Sequence, residues 1–235
     1  PDDGASAVGG SVDVAGTARI GGGNPSPDTV VVVAMDLSGS TQNPSGGDCG
    51  GNYNGDGETN AILDCQIAAV EALERSAIEL GTIAEFGVSV FGTVAFGADM
   101  QPAVGRQRLT TPGADLDNDG RRDVSDVVRS VRVGRSTSSV REFTRYNMFN
   151  LTNMAAGFRS ACNTFATSSQ PNRILIFLSD GVAFGGQDVR NESCGGDPTI
   201  YAIAIGNGSG CDQDPENLGS LNDIVALGAD GECFE

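Results

Sequence analysis

The chain contains no histidine and no lysine; all 14 of its basic residues are arginine. Without histidine there is no Ser-His-Asp triad, no Cys-His pair and no histidine-ligated zinc. Most hydrolase readings end there, and we expect no enzyme. Basic charge is scarce against 31 acidic residues, which leaves a net charge of −17. Such a surface repels phosphate backbones, so a nucleic-acid partner is not expected. No run is long or apolar enough to span a bilayer, so direct membrane insertion is not expected either. The sequence starts at Pro1 without a signal peptide. We expect a mature secreted protein whose leader has been removed.

The 235 residues, 39% of them hydrophobic, suffice for one large domain with a core. Six cysteines without a C-x-x-C pair argue against a zinc ribbon and fit three disulfides formed in an oxidising compartment. Among the pairings open to six cysteines, we take Cys49–Cys65, Cys162–Cys194 and Cys211–Cys233. The first would brace a long loop, and the third would tie the exit of the last strand to the C-terminus.

Residues 1–28 form a Gly-rich segment around one period-2 stretch, Ser11 to Ile20. Val12, Val14, Ala18 and Ile20 share one parity. This strand can add to its own sheet, or exchange with a neighbouring molecule by strand addition. A domain is expected over 29–235, with insertions at 41–60 and 101–145.

The run Thr29 to Met35 reads as a strand buried on both faces. A helix is expected over Ala61 to Leu80, a hairpin over Phe86 to Phe96 with Gly92 near its turn, and a second helix over Asn150 to Phe165. Arg173 to Leu178 and Thr199 to Ile205 read as further strands, and Pro215 to Leu227 as a final helix. Alternating strands and helices predict a doubly wound, mostly parallel α/β sheet with helices on both faces and one antiparallel edge strand.

The first buried strand ends in Asp36-Leu37-Ser38-Gly39-Ser40, and Arg173 to Leu178 runs into Ser179-Asp180-Gly181. Parallel neighbours place both aspartates at one rim, where ligands bind in open α/β sheets. Between them, Leu151-Thr152-Asn153-Met154 opens a helix with a hydroxyl. Hard oxygen ligands of this kind suit Mg²⁺, Mn²⁺ or Ca²⁺. This constellation resembles the von Willebrand factor type A domain and its metal-ion-dependent adhesion site. The resemblance implies a Rossmann-like fold and a metal held by Asp36, Ser38, Ser40, Thr152 and Asp180. It also implies that a protein partner supplies an Asp or Glu to the open metal position. Asn150 and Leu151 depart from the family, which often has Gly before the Thr.

Residues 115–126 carry a second motif. Asp115, Asp117, Asp119, Asp123 and Asp126 occupy positions 1, 3, 5, 9 and 12, with Gly120 at 6 and Arg121 at 7. This is an EF-hand-type arrangement for Ca²⁺, with the Asp at its last position closer to dockerin-type loops. Asn52, Asn54, Asp56, Glu58 and Asn60 form a weaker relative with Gly57 at position 6, and Asp64 is a candidate extra ligand. Secreted bacterial type A domains with calcium-loop insertions look most similar.

The expected function is a secreted, calcium-binding adhesion module at a cell surface or in a matrix. The alternative is a self-assembling extracellular filament or surface-layer subunit that uses its N-terminal strand for subunit pairing.

Overall fold

In the computed structural model of the chain, residues 27–100, 107–133 and 151–235 are described. The proposed strand at 11–20, much of the 101–145 insertion and Asn150 lie outside them.

Thr29–Asp36 forms β1, and all eight of its residues are buried. Alternate side chains serve two cores. Val31, Val33 and Met35 face one, with Leu63 and Ile67; Val30, Val32 and Ala34 face the other, with Phe158 and Phe177. A strand covered on both faces has no polar side to show, which is why the run is apolar without alternation. Its neighbours are β2 (Ile83–Phe91) and β4 (Asn172–Ser179), both parallel to it.

The sheet has six strands in the order β3-β2-β1-β4-β5-β6. β3 (Ala95–Gly97) is antiparallel to β2 and forms one edge; β5 (Thr199–Ala204) and β6 (Asp230–Phe234) continue the parallel set to the other. This is the doubly wound α/β architecture with one antiparallel edge strand. On one face lie α1 (Ile62–Leu80) and α2 (Asp123–Arg129); on the other lie α3 (Met154–Phe165) and α4 (Leu221–Val225).

Two polar ties hold α2 against α1. Arg129 forms two hydrogen bonds to Glu71, and Ser125 Oγ donates to the same carboxylate. Burial pushes the Glu71 carboxyl up, but the Arg129 and Ser125 bonds outweigh it and hold the group below its usual value. Arg129 also lies over the Tyr53 ring, 5.5 Å from its centroid.

Three differences from the sequence reading have local causes. The last helix is α4 alone. Asp214 Oδ1 takes the Leu218 N–H and Gly219 sits at φ +100°, which turns the chain before Ser220 caps the helix by accepting from Asp223 N. The second helix starts at Met154 because residue 152 is already paired in an extended bridge to Phe184. Asn153 then caps it, accepting from Ala156 N. The strand β6 was not expected from its short, charged sequence. It lies so close to β5 that a Cβ on Gly231 would fall 1.7 Å from Ile200 O, a place only glycine fills. The structure joins Cys49–Cys65, Cys162–Cys194 and Cys211–Cys233. The last of these fastens β6.

Candidate metal-binding site

The register of the parallel strands builds the rim. Met35 pairs with Leu178, so Asp36 comes level with Ser179, and Asp180 follows where β4 ends. Asp36 is fully buried and Asp180 nearly so. Asp36 Oδ2 accepts from Ser179 Oγ at 2.6 Å, and Oδ1 accepts from Ser38 N at 2.8 Å. The Ser38 and Ser40 hydroxyls lie 3.0 Å apart. Thr152 is buried just before α3, its backbone paired in both directions with Phe184.

Gln66 of α1 fixes the strand end. Its Oε1 accepts from Asp36 N at 3.0 Å and its Nε2 donates to Asp36 O at 3.1 Å. Both amide atoms are spent on one residue's backbone, in a fully buried position. Sequence reading missed Gln66 and Ser179. A glutamine on the apolar stripe of α1, adjacent to Cys65, was the available signal.

Burial, and then the Asp180 charge, push the Asp36 carboxyl from 3.8 up to about 7; the bonds from Ser179 and Ser38 pull the other way. Among the described residues, no arginine forms an ion pair with Asp36 or Asp180. Two buried carboxylates at one strand rim with the Ser38 and Ser40 hydroxyls beside Asp36, and no arginine paired to either carboxylate among the described residues, fit a hard divalent cation.

The 115–126 loop is built by its own side chains. Asp119 N donates to Asp115 Oδ1 (3.2 Å) and Asp117 Oδ1 (3.3 Å), and Arg121 N donates to Asp119 Oδ1 (2.8 Å). Gly120 makes the turn at φ +89° and donates to Asp115 Oδ2. These bonds gather the carboxylates of Asp115, Asp117 and Asp119 so that one oxygen of each lies within 4.8 Å of the others. Asp123 turns inward, accepting from Leu116 N and Thr110 Oγ1. Asp126 lies 4.0 Å from Arg121. A cleft of about 340 Å³ opens beside the loop, lined by Asp117, Asp119, Asp126 and Arg129 among others.

The 52–64 loop repeats the turn. Asp56 N donates to Asn52 Oδ1 (3.2 Å) and Asn54 Oδ1 (3.1 Å), and Glu58 N donates to Asp56 Oδ1 (3.0 Å). Asn54 Nδ2 donates to Asp56 Oδ2 and to Val131 O. Asn60 Oδ1 accepts from Cys49 N and Gly51 N, and the Asp64 carboxylate accepts from Tyr53 N and Ala61 N.

No family model matches the sequence, and no curated protein matches it. Solved structures do resemble it. An aerotolerance-related membrane protein from Bacteroides fragilis is 14% identical over 88% of this chain and 90% of its own, with a TM-score of 0.50. A structure described as von Willebrand factor type A from Catenulispora acidiphila is 17% identical over 88% of this chain and 38% of its own, with a TM-score of 0.46. The PilB minor pilin from Streptococcus sanguinis is 16% identical over 68% of this chain, with a TM-score of 0.42. The chain spans only 31% of that pilin's length. At these identities the likeness is one of fold: this chain has the mostly parallel, helix-covered α/β sheet of the Bacteroides protein.

Proposed function

We propose that this chain is an extracellular adhesion module that binds a partner's carboxylate through a divalent metal. The observation that carries the reading is the buried pair Asp36 and Asp180, at the ends of two adjacent parallel strands, with the Ser38 and Ser40 hydroxyls 3.0 Å apart after the first and Thr152 buried where α3 begins. These five residues would hold Mg²⁺, Mn²⁺ or Ca²⁺, which supplies an electrophilic centre for a carboxylate oxygen. The chain's own part is positioning. Gln66 and Ser179 fix Asp36, and the bridge to Phe184 fixes Thr152. Three disulfides support an oxidising, extracellular setting. The gathered carboxylates of Asp115, Asp117 and Asp119 support a structural Ca²⁺ at that loop; Ca²⁺ at the 52–64 loop rests on its matching turn.

The test is calorimetric titration of Mn²⁺ into protein stripped of metal ions. Wild type should show one binding event that Thr152→Ala shows at least tenfold more weakly, with an unchanged melting temperature in EDTA. Equal affinities in the two proteins would remove the rim as a metal site.

A second reading, the filament or layer subunit, is favoured by β6. It is an edge strand of five residues whose outer side no described strand covers. Negative-stain images in Ca²⁺ and in EDTA decide it: ordered polymers support the subunit reading, and dispersed particles in both conditions remove it.

A further inference from the structure

The proposed metal ligands leave unused two exposed apolar side chains on the loops bonded to residues 152 and 153. Six large hydrophobic residues are exposed among the described ones, and two of the six sit on the loops bonded to residues 152 and 153. Phe184 is 51% exposed and Val94 is 36% exposed. Thr152 N donates to Phe184 O at 3.0 Å, and Phe184 N donates back at 3.1 Å. On the other side, Asn153 N donates to Gly92 O at 2.9 Å, and Asn153 Nδ2 donates to Thr93 O at 3.2 Å. The segment that brings Thr152 to the rim therefore also pins the loop of Phe184 and the turn of Val94.

Exposed apolar residues scattered singly need no explanation. These two differ in place, since Phe184 is bonded to the proposed ligand Thr152, the turn of Val94 is bonded to the next residue Asn153, and their backbones are held by hydrogen bonds. Little ordering remains to oppose a contact there. Val94 continues into an open cleft of about 460 Å³ between β3 and α3, which Phe96 and Asn163 also line. Charge narrows the partner further. A chain of net charge −17 repels an acidic protein at long range, although a metal attracts a carboxylate locally. A partner that is basic overall meets both conditions, and apolar contacts add affinity without adding like charge.

We infer that the rim recognises a segment of a basic protein in which an Asp or Glu lies between large apolar side chains, with Phe184 and Val94 as the residues that read them. This inference rests on the metal-dependent reading above.

The test uses two immobilised peptides, Gly-Lys-Leu-Asp-Leu-Lys-Gly and Gly-Lys-Ser-Asp-Ser-Lys-Gly, and biolayer interferometry of the full chain in Mg²⁺ and in EDTA. Half-burying a leucine is worth about tenfold in affinity. With two leucines, one for each side chain, wild type should therefore prefer the leucine peptide by at least about tenfold in Mg²⁺. Phe184→Ser, and more weakly Val94→Ser, should lose that preference while still binding the serine peptide. Metal-dependent binding of both peptides with equal affinity would overturn the inference and leave the metal reading standing. A Phe184→Ser protein that loses both peptides would also overturn it, because Phe184 would then act through the site's structure. Absence of metal-dependent binding to either peptide would overturn both readings.

Discussion

The turns at 115–121 and 52–58 share a hydrogen-bond pattern and differ in how many carboxylates it gathers. In each, the amide at the fifth position donates to the side chains at the first and third, and the amide at the seventh donates to the fifth. Three carboxylates converge in the first turn. In the second, two of the three are the amides of Asn52 and Asn54. The Asn54 amide nitrogen bridges Asp56 and Val131 O, as a cation would bridge oxygens. Asx side chains that bond nearby amides, with a glycine at the sixth position, set the shape of such a turn. Charge count sets its demand for an ion. The second turn meets part of that demand with its own Asn54 amide and should hold Ca²⁺ the more weakly, whereas the first leaves like charges gathered.

Asp36 at the rim adds burial as a third condition, and the largest expected effect lies there. Its folded pKa stands above the ordinary 3.8, at about 7, so the folded state holds this proton more tightly than the unfolded chain does. In divalent-free buffer the resulting stability is full below about pH 4 and is lost as pH rises through about 7, on the order of 4 kcal/mol in all. Urea unfolding against pH should show this fall, and Asp36→Asn should flatten it. A wild-type profile that rises over the same interval would refute the role of burial.

Calcium removal tests the first turn. At a hundredfold excess over Kd, a bound ion adds about 2.7 kcal/mol, or roughly 5–10 °C in melting temperature for a chain of this size. EDTA should remove that increment from wild type. The Asp117→Asn protein should lose most of its calcium response. An undiminished calcium response in that variant would mean the ion sits elsewhere.

Arg129 joins the two turns, since it leaves α2 after the first, packs over Tyr53 of the second and pairs with Glu71. Arg129→Ala leaves Glu71 buried without its counter-charge, at a cost of about 2 kcal/mol in urea unfolding. Arg129→Lys should recover part of it, because Lys lacks the two-pronged geometry.

The smallest change converts one turn toward the other. Asn52 is exposed, and its Oδ1 accepts from Gly55 N and Asp56 N, bonds a carboxylate can keep. Asn52→Asp should raise the melting temperature in Ca²⁺ by about 2 °C relative to EDTA, beyond the wild-type difference. Terbium luminescence excited through Tyr53 should rise with it. No gain in either readout would mean that charge is not what separates the turns.

Much of the fold was legible because the chemistry of burial is local in sequence. A run such as Thr29 to Met35 has no polar face, so it fits only between two layers, and the α1 stripe carries its period in Ile67, Val70 and Leu73. Helix ends were less legible. Whether Pro215 opens a helix was decided by Asp214 and Gly219 bonding and turning the chain first. β6 escaped notice because its stability comes from β5 and the Cys211–Cys233 bond, not from its own residues.

The site divides the same way. The residue types and spacing of Asp36, Ser38, Ser40, Thr152 and Asp180 were determined by the sequence, as were the turn-forming residues of both loops. Tertiary structure alone decided that Ser179 stands level with Asp36, because register is a relation between strands distant in sequence. It alone turned Gln66 onto the Asp36 backbone and exposed Phe184 beside Thr152. A side chain's type is written in one position, but its burial, its partners and its charge depend on what the rest of the chain packs around it.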